Sequence, residues 1–179
     1  MPSFDPAADF SQSQDWYLIR DSPVHLFWQT AMINQTVEWL RSHGYRIFSF
    51  DAAGWDTETD MHKDLAQGFG FPDQPYPNYD GLNDHLTDVA LYQLCADATS
   101  AGTVMVISRF NVFVAQCGVF RSHILLDIFA NAARMAMLVG HRMLCLLQSD
   151  DPDLAIGPVG ASPVRWNVKE SLLSVRHPE

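Results

Sequence analysis

The sequence predicts an α/β fold built on a small, mostly parallel sheet. Short apolar runs alternate with helical stretches in the order β-α-β-α-α-β-α-β, which calls for right-handed crossovers within one sheet. The runs Val24–Gln29 (VHLFWQ), Thr103–Ile107 (TVMVI) and Met143–Leu147 (MLCLL) are nearly continuous in apolar residues. Strands covered by helices on both faces read that way, whereas half-exposed strands alternate.

The elements follow in order. Residues 1–22 read as a mobile arm from which Trp16, Tyr17, Leu18 and Ile19 can dock. Val24–Gln29 is rich in β-formers and predicts the first strand. Thr30 is placed to cap the next segment, where Ile33, Val37 and Leu40 keep helical spacing and Gly44 stands at the C-terminal stop. Arg46–Phe50 (RIFSF) predicts the second strand. Thr57-x-x-Asp60 forms a capping box with the shorter acid, Met61 and Leu65 then share a face, and Gly68, Gly70 and Pro72 end the helix. Residues 73–78 (DQPYPN) form a loop, and Asn78 caps a helix with Tyr79, Leu82, Leu86 and Val89 as its apolar stripe. Thr103–Ile107 is the third strand. Ser122–Val139 is a long helix with Leu125, Ile128, Phe129, Ala132, Ala136 and Val139 facing inward, closed by Gly140 before the strand Arg142–Leu147. Asp150–Pro163 reads as irregular, with short β at Val164–Trp166 and a weak helix after it. The expected organisation is an N-terminal arm (1–22), an α/β domain with a strand–helix extension (23–148), and an irregular C-terminal extension (149–179) packed on that domain.

Composition excludes several classes. The chain has 179 residues, with 11 Lys plus Arg against 21 Asp plus Glu, a formal charge of −10. That balance opposes nucleic acid, whose phosphates need cations, and opposes an anionic membrane surface. It favours a basic protein partner. No apolar run reaches the ~18 residues of a membrane helix, and Met1–Gln14 is polar and acidic rather than a signal peptide. Cys95, Cys117 and Cys145 are an odd, scattered set among apolar neighbours, expected as free thiols in a reducing, cytoplasmic setting.

Tests for catalysis come out negative. No phosphate loop exists, and neither Gly68-x-Gly70 nor Gly157–Gly160 lies at a strand-to-helix turn. The seven histidines are isolated, and Asp150–Asp153 lacks the glycine and terminal Glu of a calcium loop. No nucleophile elbow occurs, and Cys117 with His123 lacks a group to orient the base. No cofactor or metal is expected, and the protein is read as a non-enzyme. What remains is an acidic stripe: Asp80, Asp84 and Asp88 recur at i, i+4 and i+8, with Asp64 and Asp73 nearby. Taken alone, such a stripe is an ordinary solvated helix face.

The stretch from Asp60 to Thr87 carries Asp60-x-His62-x-x-Leu65, Phe71-Pro72, and Asn78-x-Asp80-Gly81-Leu82-Asn83-Asp84-x-Leu86-Thr87. In these motifs it resembles the barstar family, intracellular inhibitors of secreted bacterial ribonucleases, at the same spacings and without a gap. The flanking strands and the helix SHILLDIFANAA extend the resemblance over about residues 45–148. It implies a barstar-like three-layer fold, extended at the N-terminus, in which the helix of residues 79–89 and the loop before it enter a ribonuclease active site. Asp84 falls where the family's acid replaces a substrate phosphate, and Asp80 where a second acid contacts the enzyme. A carboxylate on a rigid helix suits bidentate pairing with Arg.

Around this anchor the chain departs from the pattern. Asn83 stands where the family often has Trp, and Gln74 where it often has an aromatic. Gly81 replaces Ala, Pro75 and Pro77 stiffen the loop, and Ala130, Asn131 and Arg134 stand where a contacting Glu occurs. The expected partner-binding set is Asp80, Asp84, Asn78, Asn83, Tyr76, Gln74 and Asp88. The resemblance implies a non-catalytic inhibitor, or immunity protein, of a basic ribonuclease or toxin domain. The alternative is a barstar-like interaction module whose partner is not a nuclease.

Overall fold

The computed structural model describes residues 13–72 and 77–177. Five strands form one all-parallel sheet in the order β2-β3-β4-β1-β5: β1 (Val24–Phe27), β2 (Tyr45–Asp51), β3 (Gly102–Ser108), β4 (Met143–Gln148) and β5 (Arg165–Trp166). The expected strand at residues 24–29 is therefore in the sheet, between β4 and β5, although it stops at Phe27. Seven helices are described: α1 (Gln14–Asp21), α2 (Thr30–Ser42), α3 (Glu58–Phe69), α4 (Tyr79–Ala90), α5 (Phe110–Cys117), α6 (Val119–Leu138) and α7 (Leu173–Arg176). The observed order contains the expected one and adds α1 and α5, while β5 and α7 fall on the short β and weak helix expected in the tail.

Strand alternation divides the core into two layers, because successive side chains point to opposite faces. Phe27, Val104, Val106, Leu144 and Leu146 join Leu18 of α1 and Ile33, Val37 and Leu40 of α2 on one side. Val24, Leu26, Phe48, Phe50, Met105, Ile107, Cys145 and Leu147 join α3 to α6 on the other. Both faces of β1, β3 and β4 are thus buried, which is why their sequences are unbroken apolar runs.

Several local readings hold and others need correction. In the α3 capping box the Thr57 hydroxyl accepts from Asp60 N at 3.2 Å and the Asp60 carboxylate accepts from Thr57 N at 2.9 Å. Gly70 follows α3 at φ +78, in the left-handed conformation that lets both Gly70 N and Phe71 N reach the Ala66 carbonyl. Thr30 does not cap α2: Gln29 holds that position and makes no side-chain cap bond. The carboxylate of Glu170 takes over from the C-terminal tail, accepting from Trp28 N at 3.2 Å and Gln29 N at 2.8 Å. The long helix starts at Val119 rather than Ser122. Val139 lies just past its end and is exposed rather than inward.

The part of the arm that is described is ordered by a buried polar contact. Asp15 is 3% exposed, accepting from the Tyr45 hydroxyl at 2.5 Å and from Arg142 Nη1 at 2.9 Å. These bonds hold α1 across the start of β2 and β4. At the other end of the chain, β5 extends β1 (His25 with Arg165, Leu26 with Trp166), and Arg176 donates to the Pro152 carbonyl at 2.7 Å. The three cysteines are unbridged. Among the described residues no helix is long and apolar enough to cross a membrane.

Three histidines are buried: His25, His62 and His141. Desolvation lowers the pKa of each, and the neutral His141 ring bridges the Thr103 hydroxyl and the Ala90 carbonyl. Below about pH 6.5 the unfolded chain binds more protons than the folded one, so stability rises with pH in that window. The contribution is complete above about pH 6.5 and lost as pH falls toward the lowered folded values. Denaturant midpoints measured from about pH 7.5 to about pH 5 should fall before the carboxylates begin to titrate. A flat profile across that range would contradict the buried, neutral assignment.

Candidate partner-binding face

The acidic stripe is positioned by the burial of the opposite side of α4. Leu82, Leu86, Val89 and Ala90 are buried in the core, and Tyr79 packs against it. That fixes the helix rotation and leaves Asp80, Asn83 and Asp84 exposed and Asp88 half-buried. Asp80, Asn83 and Asp84 make no side-chain hydrogen bond or ion pair among the described residues. Asp80 stands in the first turn, where the helix N-terminus favours a negative charge.

Contacts with α3 and α6 at its start and with the turn before β4 at its end clamp α4. At its start the Tyr79 hydroxyl donates to the Arg121 carbonyl at 3.3 Å, and the Tyr79 ring meets His62 edge-on. Arg121 also pairs with Glu58 at 3.1 Å, tying the beginnings of α3 and α6 together. At its end the Ala90 carbonyl accepts from His141, whose ring stacks on Tyr92. The exposed carboxylates are therefore held on a helix that cannot rotate or shift without breaking core contacts.

Some residues singled out in the sequence also serve the fold. Asn78 is the N-cap of α4, its side-chain oxygen accepting from Gly81 N at 2.8 Å. Asp64 accepts from the Trp55 indole N–H at 2.8 Å, so it serves the core. Gln74 and Tyr76, with Asp73 and Pro75, lie outside the described residues. Ala130 is buried, and the tail runs over this flank of α6: Gly160 N donates to Asp127 at 2.7 Å, and His123 contacts the Pro158 carbonyl at 2.8 Å.

Sequence reasoning missed an apolar corner beside α4. Val119 and Phe120 are 57% and 72% exposed at the first turn of α6. Their neighbour Arg121 supplies the carbonyl that receives the Tyr79 hydroxyl. The turn is reached from α5 through Gly118 at φ +86. The signal available in the sequence was Gly118 followed at once by two large apolar residues.

Two other polar groupings are committed within the fold. At the carboxyl edge of the sheet, where α/β folds bind ligands, Arg109 pairs with both oxygens of Asp51. Its backbone N–H donates to Gln148 at 2.9 Å. This pairing holds the Asp51 carboxyl below the usual carboxylate range. The Cys117 thiol points to the Asp56 carbonyl while His123 contacts Pro158, and burial pushes the thiol pKa up. Among the described residues no group of His, Cys, Asp and Glu could hold a metal ion.

These features define a three-layer α/β protein that presents a clamped, acid-bearing helix. Residues 45–148, more than half of the chain, match the family described as Barstar (barnase inhibitor). The chain belongs to the barstar family. Members of that family are ribonuclease inhibitors rather than enzymes, so a protein is the general kind of partner implied. No curated protein matches the chain. The matched stretch runs from the start of β2 to the end of β4, so α1, β1, α2, β5 and α7 lie outside it.

Proposed function

We propose that the protein is a non-catalytic, cytoplasmic inhibitor of the immunity type, which blocks a basic ribonuclease or toxin domain with α4 and the loop before it. The observation that carries this reading is Asp84. It is exposed, without a side-chain partner among the described residues, fixed on a helix clamped at both ends, and at the family's phosphate-replacing position. Asp80 supports it one turn earlier, Asp88 extends the acidic field, Asn83 adjoins the anchor, and Phe120 lies beside the start of α4. Asn78 acts by shaping the start of the helix. Gln74 and Tyr76 belong to the proposed loop contacts. The test is a pull-down from native cell extract with wild-type bait against Asp84→Ala, followed by a nuclease assay on the captured protein. A basic nuclease captured only by the wild type supports the reading. A non-nuclease captured in its place supports the interaction-module alternative.

The ribonuclease recognised by barstar itself is not the expected target. Asn83 and Gln74 remove two aromatic side chains from the neighbourhood of the anchor. Interface aromatics commonly contribute about 2 kcal/mol each, so the combined loss is roughly a thousandfold in affinity. An inhibition titration of that enzyme should show no nanomolar inhibition, and nanomolar potency would overturn this expectation.

A further inference from the structure

A cleft of about 810 Å3 opens on the side of the sheet covered by α1 and α2. Its lining comes from residues 14–36 and 164–171, so the family stretch 45–148 contributes nothing to it. It lies across the sheet from α4 and has the size of an ordinary small-molecule site.

On its floor His25 of β1 and Arg165 of β5 are paired neighbours in the sheet. Tyr17, Leu18 and Val164 give apolar surface, and Lys169 adds a second cation. His25 is 4% exposed, and its Nε2 lies 2.9 Å from the Leu18 carbonyl and 2.8 Å from the Ser22 carbonyl. Both partners are acceptors, so Nε2 carries the proton and Nδ1 offers a lone pair. Among the described residues nothing donates to that lone pair. No fully buried side-chain nitrogen or oxygen lacks a partner there, so Nδ1 is reached from the cleft that His25 lines.

The charges in the cleft are unevenly committed. Asp21, the acid in the lining, is paired with Arg20 at 2.6 Å and feels Arg165 only at longer range. Arg165 and Lys169 form no ion pair among the described residues. Two uncommitted cations, an apolar wall and a lone pair reached from the cleft thus converge in a protein whose net charge is −10.

We propose that this cleft binds a small organic anion. Its carboxylate or phosphate meets Arg165 and Lys169, its apolar body lies against Tyr17, Leu18 and Val164, and a hydroxyl or N–H donates to His25 Nδ1. The test titrates the full chain calorimetrically with para-hydroxyphenyl phosphate, para-hydroxybenzoate, inorganic phosphate and phenol. One of the two organic anions should saturate a single site with a Kd of about 1 mM or tighter, as expected for roughly ten non-hydrogen atoms. Whichever binds identifies the anionic group. Inorganic phosphate and phenol should bind at least about tenfold more weakly, since each lacks half of the recognition. Arg165→Gln should lose at least about tenfold while leaving the thermal melt unchanged, because Arg165 is exposed. The His25 ring nitrogen signals should move on saturation of the wild type. No saturation by either organic anion overturns the site, as does binding unchanged in both Arg165→Gln and Lys169→Gln. So does a cleft found closed by a second copy of the chain. None of these readouts involves the partner of α4, so they are independent of the inhibitor reading.

Discussion

Asp84→Ala should weaken partner binding by about 2–5 kcal/mol, the usual cost of truncating one member of a desolvated charge pair, a scale set in part by the family's own ribonuclease complex. The physical reason is the clamped helix. Asp84 gains nothing from its own fold, and its carboxylate is already oriented, so little ordering is required when a cationic site closes over it. Asp84→Asn should cost nearly as much, since it keeps the shape and removes the charge. Neither change should alter folding stability by more than about 0.5 kcal/mol, because the side chain is exposed and unpaired among the described residues. Asp80→Ala should also lose a few tenths of a kcal/mol of stability, as its carboxylate faces the helix N-terminus. Asp88→Ala, half-buried at the far end of the stripe, should act mainly on association rate and its salt dependence. The measurement is binding kinetics for the variants at two salt concentrations, with thermal melts alongside. Equal, small losses at Asp80, Asp84 and Asp88 would reduce the stripe to a solvated face.

How much of this was legible in the sequence depended on how local the cause was. The capping box of Thr57 and Asp60, the Asn78 cap and the exposure of the acidic stripe rest on residues within one or two turns, and periodicity alone places them. What escaped was non-local or lacked contrast. Helix α5 is preceded by Arg109 at φ +54 with no side-chain cap, and its sequence FNVFVAQC offers no long polar face against which an apolar stripe stands out. Helix α1 docks because Asp15 finds Tyr45 and Arg142, which are 30 and 127 residues away. The family contact region around Ala130 is occupied by the tail through the Asp127–Gly160 bond, a pairing 33 residues apart that no local pattern signals. The same holds for the cleft, whose two halves come from opposite ends of the chain. Within the candidate site, the acids were legible and the Phe120 corner was not, since its exposure follows from where α6 begins.

The longest-range of these contacts carries the last expectation. Glu170 is 1% exposed, and its carboxylate receives the N–H groups of Trp28 and Gln29, 142 and 141 residues away. It stands at the N-terminus of α2, where no local side chain caps the helix and a negative charge is favoured. Its own carbonyl is held by Arg176, whose guanidinium also covers the Trp166 ring. One side chain therefore fastens the tail, β5 and the start of α2 to the edge of the sheet. Glu170→Ala removes the acceptor of two part-buried backbone donors, at about 0.5–1.5 kcal/mol each, and loosens the Arg176 contacts, so a total loss of about 1–3 kcal/mol is expected. Glu170→Gln keeps one acceptor oxygen and should cost distinctly less. Chemical denaturation of both variants measures the loss, and amide exchange locates it. Protection should fall first in β1, β5 and the first turn of α2, while β2 and β3 at the far side of the sheet stay protected. A loss within about 0.5 kcal/mol for Glu170→Ala, with exchange in β1 unchanged, would mean that the tail merely lies on a sheet that is stable without it.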